Sequence, residues 1–200
     1  GLPTNKLPPT RSLPMNTLST LPHIPDGPRV YPRAARALHW LMALGIIWML
    51  CSACVHALAE KSALDQFMWP THKHVGIVLL VLVVIRIVLA LVQQARRPRA
   101  TSTAAKLGHA ALYALMLAIP LIGLLRQIGS GRAFSPLGVP LIPGFEGPKI
   151  DWMVDLGSAL HGELGWVLLV LVLGHVGMVL LHHFKGERHI WQRMKPGSGH

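Results

Sequence analysis

A chain of 200 residues with 52% hydrophobic and only 14% charged residues has a membrane composition and excludes an ordinary soluble domain. The formal net charge is +11, yet the basic residues gather at the ends of apolar segments rather than along a stripe. The charge therefore reads as membrane topology and not as a nucleic-acid partner.

Four apolar windows, roughly 36–58, 74–93, 106–126 and 159–184, match the run of about twenty residues that crosses a bilayer core of about 30 Å. They leave no room for a second globular core, and predict an all-α, integral membrane four-helix bundle. Ahead of them, residues 1–30 hold seven prolines with no hydrophobic periodicity. That segment is expected to be extended or disordered, and it lacks the basic start and apolar stretch of a signal peptide. Residues 31–196 form the expected transmembrane domain, and 197–200 a short tail.

The first window opens on Leu38-His39-Trp40, about one turn inside the edge of the core, with Trp40 placed as an interfacial anchor. Further along, Cys51 and Cys54 share a helix face, and His56 stands one residue too late for the C-x-x-C-H attachment of c-type haem. They read as small packing residues. A short loop, 59–71, leads to Thr71-His72-Lys73-His74-Val75-Gly76, where two histidines compete for one position. Arg86 lies ten residues beyond Gly76 in a wholly apolar stretch. At that depth an arginine requires an anion, such as a haem propionate, or must snorkel to the headgroups.

Arg96, Arg97, Arg99 and Lys106 fill the next connection without an acid among them, and Lys185, Arg188, Arg193 and Lys195 follow the last window. The other two connections mix bases with Glu60, Asp65, Glu146, Asp151 and Asp155. The asymmetry places both termini and the 94–105 loop in the cytoplasm. The third window carries His109 near its start and Pro120 and Gly123 near its end, where the proline is expected to kink the helix. The loop 127–157 is rich in Gly and Pro and is long enough to cap the outer mouth of the bundle.

The fourth window contains His161 and His175, fourteen residues apart. Fourteen residues of α-helix rise about 21 Å and turn about 1400°, within about 40° of four full turns. Both imidazoles therefore leave one face, one near each edge of the core. By depth, His72, His74 and His161 form an outer group, and His39, His109 and His175 an inner one. Two stacked, bis-histidine b-type haems are the natural contents of such a bundle. A histidine-lined metal carrier is the rival, since imidazole also holds zinc and copper. Yet Glu163 is the one acid well inside the windows to partner a permeating cation.

These residues, in register over 31–196, resemble the bacterial cytochrome b-561 family of four-helix di-haem membrane proteins. The likeness rests on Leu38-His39-Trp40, His72-x-x-x-Gly76 with Arg86, Leu107-Gly108-His109-x-x-x-Tyr113, Pro120-x-x-Gly123, His161-x-x-x-Gly165, His175, His182-His183 and Arg193-Met194-x-Pro196. It implies His72 rather than His74 as the helix-two ligand. It also implies the pairs His72/His161 outside and His39/His175 inside, with His109 beside the inner haem or a quinone.

The resemblance further implies electron transfer in the bacterial inner membrane, from superoxide or another periplasmic donor to ubiquinone. Lys73, Arg126, Arg132 and Lys149 would steer an anion to the outer mouth, and Lys106, His109 and His182 lie at a depth suited to quinone. The alternative is a non-enzymatic haem anchor that relays electrons between a periplasmic redox partner and the quinone pool.

Overall fold

The computed structural model describes residues 30–94, 98, 100 and 102–196. The Pro-rich front, Arg96, Arg97 and Arg99 of the basic loop, and the tail after 196 lie outside the described residues. The elements are α1 (Arg33–Leu58), α2 (Ala63–Met68), α3 (His72–Val92), α4 (Thr103–Gly129), α5 (Asp151–Phe184) and α6 (Arg188–Gln192). Among the described residues there is no strand, only one isolated bridge between Phe134 and Ile142. The fold is an all-α, four-helix membrane bundle, because α1, α2 continuing into α3, α4 and α5 are each long and apolar enough to cross a bilayer.

Two boundaries depart from the expectation. The segment 59–71 is mostly helical: Ser62 caps α2 by accepting from the Asp65 amide at 3.1 Å, and Trp69–Thr71 make a 3-10 turn that leads into α3. Pro70 is tolerated there because the first amides of a helical turn need no intrahelical acceptor. At the other end of the chain, α5 starts eight residues before the apolar window. Asp151 stands in its first turn, where a carboxylate is favoured by the helix dipole. Those charges break the apolar pattern without breaking the helix.

Packing is uneven. α4 lies against α5 along their length, α1 against α3, and α3 against α4, whereas α5 makes little close backbone approach to α1 or α3 among the described residues. The α4–α5 seam is tight because Gly157 sits against Arg126, where an added Cβ would collide with the Arg126 Cβ. A small core of Met42, Leu79 and Val83 holds α1 to α3. Outward, Leu44, Leu91, Val170 and Leu173 are exposed. Large apolar side chains face outward all around because lipid, not water, is the surrounding medium.

One end of the bundle, the cap end, carries α2 and the 130–150 segment. There Phe134 is buried, its amide donates to the Ile142 carbonyl at 2.8 Å, and the Phe145 amide donates to the Gly131 carbonyl at 2.9 Å. The short helical turn Pro136–Gly138 rests near the start of α3, so this loop does cap the mouth. The opposite, terminal end is closed by the C-terminal segment. Trp40 Nε1 donates to the Met194 carbonyl at 2.7 Å, Arg36 Nη1 to the Lys195 carbonyl at 3.0 Å, and the Tyr31 amide to the Arg193 carbonyl at 3.2 Å. Trp191 packs edge-on against Trp40.

Two outcomes test this packing. Gly157→Val is expected to lower stability by about 1–3 kcal/mol through overpacking, read as an earlier thermal transition of the detergent-solubilised protein. Trp40→Phe removes the indole donor to Met194. It is expected to speed limited proteolysis after α5 while leaving cleavage elsewhere unchanged.

Candidate functional site

α5 is the element on which both levels of the site are built. His161 stands near its cap end and His175 near its terminal end, and each ring meets an imidazole from another helix. The rings of His72, at the start of α3, and His161 lie 6.3 Å apart between centroids with planes at 71°. Those of His39, on α1, and His175 lie 6.4 Å apart at 66°. A first-row metal held between two opposed imidazole nitrogens at about 2.0 Å each, with ring centres about 1.1 Å beyond, sets centroids about 6.2 Å apart. Both pairs have the spacing that one interposed metal ion requires.

The ring orientations have local causes. His161 Nδ1 donates to the Ile119 carbonyl at 2.9 Å, next to Pro120 in the uninterrupted helix α4. That bond is possible because Gly123 leaves room: a Cβ there would stand 2.9 Å from His161 Cε1. The Pro120-x-x-Gly123 pattern thus has its physical reason in the seating of His161. His72 Nδ1 lies 2.9 Å from Ser52 Oγ on α1. The single Ser52 hydroxyl proton is given to the Met49 carbonyl at 2.8 Å, so Ser52 accepts from His72 and Nδ1 carries the proton. In both His72 and His161 this leaves the Nε2 lone pair available to a metal.

The remaining candidates sort by position. His109 lies beside the inner pair, its ring 5.5 Å from that of His175, closer than the spacing of two directly opposed ligands. His74 turns away from His161, with Nδ1 3.3 Å from the Pro70 carbonyl and its ring 6.1 Å from Phe134. Arg86 reaches into the inner level: Nε donates to Tyr113 Oη at 2.8 Å, Nη1 to the Ala35 carbonyl at 2.9 Å, and Nη2 stands 3.4 Å from His39 Nδ1. Protein groups thus support the half-buried guanidinium, and its five donors leave capacity for an anion as well. At the terminal end His182 pairs with Glu187 at 3.0 Å, and Lys106 is exposed at the start of α4.

At the cap end Lys73 donates to Gln127 Oε1 at 2.8 Å, with Arg126 and Arg132 as its positive neighbours, and Arg126 also acts on His161. The expected basic cluster is therefore assembled from Lys73, Arg126 and Arg132. Lys149 is exposed on the same loop.

Two contacts carry no sequence pattern. Ser52, between Cys51 and Cys54, is fully buried and lies 2.9 Å from His72 Nδ1. His56 pairs with Asp65 at 3.0 Å and stacks on Trp69 at 3.8 Å, which in turn tilts against His72. No spacing signal announces either, because their partners lie on other elements.

Among the described residues no cluster of three or more His, Cys, Asp or Glu could hold a metal ion by protein donors alone. Paired imidazoles suit instead a metal that brings its own equatorial ligands, as haem iron does. The donor chemistry and the two ring spacings fit haem.

Comparison with known proteins agrees in kind. Residues 30–197 match the model of the family described as prokaryotic cytochrome b561. Cytochrome b561 homolog 2 of Escherichia coli (strain K12) is 30% identical over 182 residues, covering 84% of this chain and 92% of the relative. Cytochrome b561 homolog 1 of the same organism is 28% identical over 167 residues, covering 80% and 93%. A Yersinia pestis protein named probable superoxide oxidase CybB is 27% identical over 165 residues, covering 80% and 92%. The chain belongs to the prokaryotic cytochrome b561 family, whose members are haem b proteins of membrane electron transfer.

Proposed function

We propose that the chain holds two haems b, one between His72 and His161 and one between His39 and His175, and carries electrons across the bacterial inner membrane. The observation that carries this reading is the recurrence of one geometry at two levels, with ring centroids 6.3 Å and 6.4 Å apart. Held by two imidazoles each, the haems would supply one-electron carriers suited to electron transfer rather than oxygen activation.

The protein's part is orientation and charge. Ser52 and the Ile119 carbonyl hold the outer imidazoles by their Nδ1 atoms, so neither ring needs to reorganise on binding. Arg86 lies against the inner level and is the cation we assign to a haem propionate. His109, next to His175, completes the inner surroundings. With both termini and the 94–105 loop in the cytoplasm, as the positive-inside rule requires, the cap end faces the periplasm.

The donor we assign to the cap end is superoxide, and the acceptor is ubiquinone. Two superoxide anions each release one electron and leave as dioxygen, and one quinone takes up both electrons with two protons to become quinol. Support for an anionic donor comes from Lys73, Arg126 and Arg132 gathered at that end, whose summed field raises the local concentration of a small anion. The relative named as a probable superoxide oxidase points the same way. Lys106, His109 and His182, at the terminal level, are the side chains we place nearest the quinone.

Pyridine haemochrome quantitation is expected to give two haems b per wild-type chain, one in His72→Ala and two in His74→Ala. One haem or none in the wild type overturns the reading. With the purified chain alone, superoxide is expected to reduce ubiquinone rapidly, and raised ionic strength to slow it by screening the basic cluster. Reduction that appears only with a co-purifying periplasmic subunit would establish the non-enzymatic anchor in its place.

A further inference from the structure

The atoms behind the histidines differ at the two levels. At the cap end both Nδ1 atoms face acceptors. His161 Nδ1 donates to the Ile119 carbonyl at 2.9 Å, and His72 Nδ1 donates to Ser52 Oγ at 2.9 Å, whose own proton is committed to the Met49 carbonyl at 2.8 Å. Ser52 is 0% exposed, so no water competes for that bond. At the inner level the group facing His39 Nδ1, 3.4 Å away, is Arg86 Nη2. A guanidinium has no lone pair to offer and carries a full positive charge.

An imidazole whose Nδ1–H is drawn toward an acceptor is more basic at Nε2, would donate more charge to a metal and would favour its oxidised state.

We infer that Ser52 is a positioning residue that fixes the His72 ring and lowers the midpoint potential of the outer level. The inference rests on the di-haem reading above, and concerns what tunes the outer level.

The test is a spectroelectrochemical titration of the haem-loaded, full-length protein, with haem counted in every sample. In the wild type two midpoints are expected, and the one lost in His72→Ala is the outer one. Ser52→Ala, nearly isosteric, is expected to raise the outer midpoint and leave the inner one in place. Ser52→Cys, a weaker acceptor of the same shape, is expected to raise it by less. Loss of one haem alone from Ser52→Ala also supports the assignment, since the ring it positions is the one released.

Fewer than two haems in the wild type removes the di-haem reading itself. Two haems with both midpoints unmoved in Ser52→Ala, or with the inner one moved, overturns only the role of Ser52. Should Ser52→Ala lose both haems, Ser52→Cys decides the matter by the same criteria.

Discussion

Everything in this bundle depends on imidazoles being kept inside a medium that offers them no water. A histidine in the hydrocarbon region must find its partners within the protein. Four of them here find one partner each at Nδ1, among Ser52, the Ile119 carbonyl and Arg86, or meet a second ring, as His175 meets His39 and His109. The helix arrangement follows from that need. α4 and α5 close tightly, α1 and α3 close around Met42, Leu79 and Val83, and α5 stands off from α1 and α3 where the ring pairs face each other. A bundle packed only for apolar contact would bring those backbones together. This one keeps them apart where the paired imidazoles meet.

Small residues have separate tasks in that arrangement. Gly157 allows α5 to approach α4 at Arg126, and Gly123 allows the His161 ring to lie on α4. Neither has an unusual backbone angle to explain it; each is a matter of room. Serine does something glycine cannot. Ser52 is fully buried and adds a directed lone pair, so one hydroxyl fixes both the tilt and the protonation of His72.

The helices were legible because twenty-residue apolar runs have few other readings, and the fourteen-residue spacing of His161 and His175 placed both on one face. The facing of His72 with His161 and of His39 with His175 followed once depth and family likeness were combined. Other features were hidden for identifiable reasons. Asp151 and Asp155 interrupt the apolar pattern, so the first two turns of α5 looked like loop although they are helical. The helix Ala63–Met68 is too short to show periodicity, and its cap, Ser62 with Asp65, is a local signal easily read as loop polarity. Arg86 was expected to meet an anion or to snorkel to the headgroups; its bonds to Tyr113 and Ala35 come from partners 27 and 51 residues away that no window could reveal. Ser52 has no pattern of its own, because its partner His72 lies 20 residues away on another helix.

The closure of the terminal end bears on how the molecule is made. Tyr31, Arg36 and Trp40 stand where the first helix begins, and the carbonyls they bind belong to Arg193, Met194 and Lys195. Both ring pairs also require α5, the last of the crossing helices. During synthesis from the N-terminus, neither level can be assembled before most of the chain has entered the membrane, and the latch beneath His39 can form only after α6 has emerged. Prosthetic-group uptake is thus confined to the final stage of biogenesis, so that a truncated product retains its inserted helices without ever becoming a redox protein.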